Sequence, residues 1–242
     1  MRKIETIFFD NWNTLVQAPR LMQRGSSTEI FHKYLKDRGL SVPYDRFVEA
    51  YIPVSRRQTQ EADENGYIEL DYEERLREVF RQLNLDNVDD LAHGAWMTYL
   101  QEWPIQTTFF DETPQVLEEL QGKYRLGVIT NYMHGPTCRE VFQKLNYCDV
   151  FSSLVVSAEV GYRKPSKVIF MKALQEMSSD PDTSVMVGDM YEADIVGANA
   201  VGMRSILIDI YDNQHDHYSE ASQVIKNIGE LPSAIEKLLN SR

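Results

Sequence analysis

The sequence predicts an α/β protein: a doubly wound parallel sheet whose first strand is followed by an inserted all-helical domain. Three observations predict it. Short runs of β-branched and aromatic residues, each ending at an acidic or polar loop, alternate with segments that carry apolar residues at helical spacing. Residues 16–104 break that alternation and repeat apolar residues at three and four only. The chain is 242 residues long with 43% hydrophobic content, enough to bury a sizeable core as one domain or as a domain carrying an insertion.

Residues 4–9 are rich in β-branched and aromatic side chains and end at Asp10, so they read as a buried strand running into a loop. Residues 125–130, 185–187 and 205–208 repeat the pattern, each after a helical segment. The helical segments are 114–120, 136–145, 165–174 and 193–200, with Pro114, Pro136 and Pro165 expected in the first turn. In the insertion, Ser26 and Glu29 form a capping box ahead of Ile30, Phe31, Tyr34 and Leu35, and Gly39 supplies a stop. Tyr44, Phe47, Val48 and Tyr51, then Tyr72, Leu76, Val79, Phe80 and Leu83, then Leu91, Ala95, Trp96 and Tyr99 continue the spacing. These aromatic stripes read as helical core rather than as a substrate box. The expected organisation is an α/β core of residues 1–15 and 105–242 around a helical domain of residues 16–104. No internal repeat, low-complexity tract or heptad run is present.

The formal net charge of -12 argues against a nucleic-acid or anionic-membrane partner, since such surfaces recruit proteins through clustered Lys and Arg. A small-molecule substrate is the expected partner, and nothing in the sequence specifies an oligomeric state. The opening apolar run stops at Asp10, too short for a signal-peptide core or a membrane span. A cytoplasmic protein is therefore expected, with Cys138 and Cys148 as reduced thiols rather than a disulfide.

In an open parallel sheet, ligands sit at the carboxyl ends of the strands. Those ends carry Asp10-Asn11-Trp12-Asn13-Thr14-Leu15, Ile129-Thr130-Asn131 and Val187-Gly188-Asp189, with Asp194 five positions on and Lys164-Pro165 on an intervening loop. Carboxylates, a hydroxyl and an ammonium thus converge on one sheet edge. Taken singly each has a plain reading: an Asp after a strand is often a helix cap or turn former, and a Lys-Pro is usually a solvated loop.

Their order and spacing resemble the haloacid dehalogenase-like (HAD) superfamily, whose core is Rossmann-like and often carries a helical cap after the first motif. The first motif is Ile7 to Leu15, the second Gly127-Val128-Ile129-Thr130-Asn131, the third within Ser157 to Pro165, and the fourth Gly188-Asp189-Met190-Tyr191-Glu192-Ala193-Asp194. The resemblance implies a hydrolase acting on a phosphoryl group, with an active site between core and cap. Asp10 would attack the substrate covalently, splitting one displacement into two steps. Lys164 would supply positive charge and Thr130 a hydroxyl donor. Backbone N–H groups near Asn11, Trp12 and Asn131 would hold the remaining phosphoryl oxygens. Mg2+ would be held by an Asp10 oxygen, the Trp12 carbonyl and Asp189, with Asp194 in support.

One position departs from the pattern. Phosphatases of the superfamily usually carry a second aspartate two residues after the nucleophile as general acid and base, and here that residue is Trp12. Indole is a donor only and exchanges no proton near neutrality. Lacking that acid costs about a hundred- to ten-thousandfold in rate unless the leaving group departs unprotonated or another group substitutes. His32, Glu61 and Asp63 of the insertion are the candidate substitutes. A third account is a different substrate. The 2-haloacid dehalogenases carry an aromatic residue at this position, and halide needs no proton, but those enzymes need no metal and lack the acidic fourth motif kept here. Phosphoryl transfer is therefore the favoured reading, dehalogenation the alternative, and a non-catalytic binding protein on the same fold the rival from another class. An imine-forming lysine at Lys33 or Lys36 is a weaker idea, because helix-surface lysines are usually solvated. Arg20, Arg24, Arg56 and Arg57 read as surface charge with an anion-binding alternative, His215 and His217 as a solvated loop with a metal-binding alternative, and His134, beside the second motif, equally as a substrate contact or a bystander.

Overall fold

Thr6–Phe9 is buried at every residue, as a strand covered on both faces must be, and forms β1. The computed structural model describes residues 3–17 and 26–240. After β1 come β2 (Val16–Gln17), helices α1 (Ser26–Asp37), α2 (Tyr44–Glu64), α3 (Tyr72–Gln82), α4 (Val88–Gln101) and α5 (Trp103–Gln106), and β3 (Thr108–Phe109). The chain continues through α6 (Thr113–Gln121), β4 (Arg125–Thr130), α7 (Gly135–Lys144), β5 (Ser153–Val156), α8 (Ser157–Val160) and α9 (Lys167–Glu176). It ends with β6 (Ser184–Gly188), a π-helical turn (Tyr191–Val196), α10 (Gly197–Ala200), β7 (Arg204–Ile208), β8 (Gln223–Ile225) and α11 (Leu231–Asn240).

The sheet is six-stranded and parallel throughout, in the order β5-β4-β1-β6-β7-β8. The protein is thus an α/β fold of the doubly wound kind. The chain winds outward from β1 through β4 to β5, then returns to β1's other side for β6, β7 and β8. The strand order therefore reverses beside β1, where a ligand crevice is expected. Neighbouring β1 residues face opposite layers. Phe8 packs with Ile169, Phe170, Leu174, Met186 and Ala198 on the α9 side, while Phe9 meets Phe151, which in turn meets Phe142 of α7.

Contacts divide the chain into two compact units, Met1–Gln17 with Thr108–Arg242, and Ala18–Thr107. Both joints fall C-terminal of the expected ones: β2 pairs antiparallel with β3, Val16 opposite Phe109, which places Val16 and Gln17 in the sheet unit, while residues 105–107 fall in the helical unit. Within the helical unit, α1, α2, α3 and α4 pack in neighbouring pairs. Phe31, Phe47, Tyr51, Phe80, Trp96 and Tyr99 are all buried there, so the aromatic stripes are core. The Tyr72 and Trp96 rings stack at 5.1 Å, and the Arg75 guanidinium lies over Tyr72.

Several elements differ from expectation. β5 and β8 have no counterpart among the predicted strands: the first mixes a serine into a four-residue run, and the second is three residues long. Pro114 and Pro136 occupy first turns as predicted, but Pro165 precedes α9, which starts at Lys167. The segment 193–200 is not one α-helix. Its first half belongs to the π-helical turn and only Gly197–Ala200 is α. Cys138 is buried and Cys148 exposed, with no bridge between them. No helix among the described residues is long and apolar enough to cross a membrane. Arg20, Arg24 and the Ser26 side chain of the expected capping box lie outside the described residues.

Candidate active site

Three neighbouring strands bring the site together. Phe9 of β1 is in register with Val128 of β4 and Val187 of β6, so Asn11, Thr130 and Asp189 each lie two residues beyond one level line. Asp10 follows β1 directly, and its backbone N–H donates to the Val187 carbonyl at 2.8 Å. The following turn is closed by Leu15 and Val16, whose N–H groups both donate to the Asn11 carbonyl, at 2.9 and 3.0 Å. Asn13 takes the left-handed φ of 59° that this tight reversal requires, a conformation asparagine tolerates.

Lys164 is the centre of the charge arrangement. Its side chain is 1% exposed, and Nζ donates to Asp10 Oδ1 and to Asp194 Oδ1, both at 2.6 Å. Asn131 fixes the lysine's main chain from both ends: Oδ1 accepts from the Lys164 N–H at 2.6 Å, and Nδ2 donates to the Lys164 carbonyl at 3.0 Å. Asp194 in turn accepts from the Met190 N–H at 3.0 Å through its other oxygen. Gly188 lets that carboxylate approach, because a Cβ at position 188 would lie 2.2 Å from Asp194 Cγ and Oδ2. Gly188→Ala is accordingly expected to cost about 1–3 kcal/mol through overpacking. A urea midpoint equal to that of the parent protein would contradict it.

Asp10, Asp189 and Asp194 offer carboxylate oxygens that all lie within 4.8 Å of one another. Three carboxylates therefore face one ammonium, and burial resists the ionisation of Asp10 and Asp189. Burial pushes the Asp10 carboxyl up to about 6, with Lys164 pulling it down and the Asp194 charge pushing it further up. Asp189 is pushed up to about 8 by burial and by the charges of Asp10 and Asp194, against a hydrogen bond from Asn13 and the charge of Lys164. For Lys164, burial works against the charged form, but the two carboxylates outweigh it and raise its pKa. This donor set, all hard oxygen and in excess of its counter-charge, suits a divalent cation such as Mg2+.

Thr130 is wholly buried, and among the described residues its Oγ1 has no hydrogen-bond partner, as is the case for Thr14 Oγ1 and for both side-chain polar atoms of Asn11. Buried polar atoms in that state are costly unless a ligand completes them. Trp12 is buried with its ring 5.4 Å from that of Tyr132, so an aromatic pair stands one residue from Asn11 and two from Asp10. Tyr132 follows the Thr130-Asn131 motif, and no residue pattern in the sequence marks it as part of the site. Its position after a motif was the one available signal.

His32, Lys33, Arg57 and Glu61 of the insertion have local partners. His32 Nε2 lies 2.8 Å from the Val42 carbonyl, Arg57 pairs with Glu61 and Glu78, and Lys33 pairs with Asp37. His134 caps α7, accepting from the Thr137 N–H at 3.3 Å. His215 lies 2.8 Å from Asp212 and His217 stacks on Tyr191, so the two imidazoles are held by different neighbours.

The haloacid dehalogenase-like hydrolase family has a sequence profile that matches residues 43–208. Ribulose-1,5-bisphosphate 5-phosphatase of Halopiger xanaduensis is 30% identical over 244 residues, covering 95% of this chain and 98% of that protein. Glyceraldehyde 3-phosphate phosphatase of Methanothermobacter thermautotrophicus is 38% identical over 130 residues, where the match spans 50% of this chain and 56% of the relative. Among solved structures, 2-haloacid dehalogenase from Pseudomonas syringae superposes with a TM-score of 0.76 at 24% identity, over 97% of this chain and 99% of that one. The chain belongs to the haloacid dehalogenase-like hydrolases. It is an enzyme of that family, built on the same fold as both its phosphatase and its dehalogenase members.

Proposed function

We propose that the protein is a Mg2+-assisted phosphatase that hydrolyses a small phosphorylated molecule through an aspartyl-phosphate at Asp10. The observation that carries this reading is the Lys164 ammonium held 2.6 Å from both Asp10 and Asp194, with Asp189 completing a carboxylate cluster. Full-length similarity to a protein named as a phosphatase supports the same chemistry.

Asp10 Oδ attacks phosphorus while the bond to the leaving oxygen breaks, and water then cleaves the acyl phosphate to return the free carboxylate and inorganic phosphate. Lys164 holds positive charge beside the transferred group and lowers the repulsion between carboxylate and phosphoryl dianion. Thr130 Oγ1 donates to a phosphoryl oxygen, which would complete its buried hydroxyl. Backbone N–H groups at Asn11, Trp12 and Asn131 serve the others. Asp10, the Trp12 carbonyl and Asp189 would hold Mg2+, supported by Asp194. When bound, the ion supplies further charge neutralisation on the phosphoryl oxygens. The helical unit serves as the substrate-selecting cap.

Trp12 sets the substrate class. With no carboxylic acid at that position, the leaving oxygen departs as an anion, so an acidic leaving group is preferred to an alkoxide. Turnover of a series of aryl phosphates is the test: kcat/KM should fall steeply as the leaving phenol becomes more basic. A flat dependence would show a working general acid. Halide release from 2-chloropropionate in the absence of metal, without phosphate turnover, would select the dehalogenase alternative.

The carboxylate cluster makes a pH-dependent prediction. A carboxyl whose folded pKa is raised contributes stability below its unfolded value and loses it as pH rises through the folded one. For Asp10 and Asp189 that window runs from about 4 through about 6 and about 8. Mg2+ relieves the repulsion only when the carboxylates are ionised, so its increase in Tm should be larger at pH 8 than at pH 5, and Asp189→Asn should remove most of it. An equal increase at both pH values would contradict the assignment.

A further inference from the structure

We propose that Gln214 is a positioning residue for Asp189, bridging the loop after β7 to the loop after β6 and holding the Asp189 main chain where its carboxylate meets Asp10 and Asp194. The inference rests on the reading of Asp189 as a Mg2+ ligand given above. In the sheet, Gly188 of β6 pairs with Leu207 of β7, so the loops beginning at Asp189 and Asp209 leave adjacent strands almost level.

Both ends of the Gln214 amide are used on backbone. Nε2 donates to the Asp189 carbonyl at 2.8 Å, and Oε1 accepts from the Tyr191 N–H at 3.1 Å. One side chain thus spans Met190 and fixes the residues on either side of it. Gln214 also lines a groove of about 390 Å3 beside Asp189, so solvent was an available partner, yet the amide is turned onto the loop. The same turn is pinned from its other end by Asp194, whose N–H donates to the Met190 carbonyl at 2.8 Å.

Gln214 is itself anchored. The Asp209 carboxylate is buried and accepts from the N–H groups of Asn213 at 3.1 Å and Gln214 at 3.3 Å, and from the Tyr218 hydroxyl at 2.6 Å. Lys226 Nζ lies 3.4 Å from Asp209 and also contacts Asp212 and Tyr218. The acidic group of Asp209, Asp212 and His215 therefore already has its cation, and its role is to anchor the loop rather than to hold a metal. The chain of contacts runs from Asp209 through Gln214 to Asp189.

Mg2+ demands near-ideal octahedral geometry, whereas Ca2+ accepts an irregular set of oxygens. Loss of a positioning contact should therefore weaken Mg2+ much more than Ca2+, which a merely structural role would not do. The experiment is calorimetric titration of the metal-stripped full chain with each ion, for the parent, Gln214→Ala and the similar-sized Gln214→Leu. Both variants should lose about ten- to hundredfold in Mg2+ affinity, lose clearly less for Ca2+, and recover kcat at saturating Mg2+. Unchanged Mg2+ affinity in a folded variant, or equal losses for the two ions, would overturn the role of Gln214 while leaving the metal site standing. Absence of Mg2+ binding in the parent protein would instead sink the metal reading and this inference with it.

Discussion

Asp10→Asn should lower kcat on an activated aryl phosphate by about four orders of magnitude or more, the scale seen when a covalent nucleophile is removed. The substitution is nearly isosteric, and Lys164 keeps its 2.6 Å contact with Asp194, so the fold should be retained. A loss of that size in a folded variant separates the nucleophile from a carboxylate that only binds metal. Acid-quenched turnover followed by peptide mass spectrometry provides the direct check: phosphate should be found on Asp10 in the parent protein and on no peptide of the variant. Turnover surviving in Asp10→Asn, or a label on another side chain, would remove the basis of the proposed mechanism.

Lys164→Met should produce the largest change in stability. The ammonium is 1% exposed and contacts two carboxylates, so its removal leaves buried negative charges facing one another. Breaking such an arrangement from one side costs about 3–5 kcal/mol. The sign of the pH dependence follows from the folded pKa values of about 6 for Asp10 and about 8 for Asp189, which would rise further without the ammonium. Protonated carboxyls do not repel, so the penalty should be smaller at pH 5 than at pH 8, with the difference read from urea denaturation at the two pH values. Mg2+ should recover part of the stability at pH 8, because a divalent ion can replace the missing charge. A penalty that is the same at both pH values would mean that the cluster is not ionised as described.

Much of the sheet was legible because parallel strands covered on both faces are near-continuous apolar runs. β1, β4, β6 and β7 all have that character. β5 and β8 lie at the two ends of the sheet, where a shorter or more mixed segment suffices, and the pattern did not reveal them. Residues 193–196 carry apolar spacing compatible with an α-helix, which is why the sequence predicts one there, yet they belong to the π-helical turn Tyr191–Val196.

The sequence by itself determined that Asp10, Thr130 and Asp189 sit at strand ends or just beyond them, since apolar runs mark where strands stop and the following residues must be loop. It also determined the absence of a carboxylic acid at Trp12. Tertiary structure decided what those residues touch. The Asn131 clamp on Lys164 spans 33 residues, and the Gln214 bridge to Asp189 spans 25. An amide side chain can satisfy many backbone partners, and only the packing of one loop against another selects which it meets. The excess of carboxylate over ammonium was countable in the sequence. Its consequence, the upward shift of Asp10 and Asp189, came from burial, which no residue carries alone.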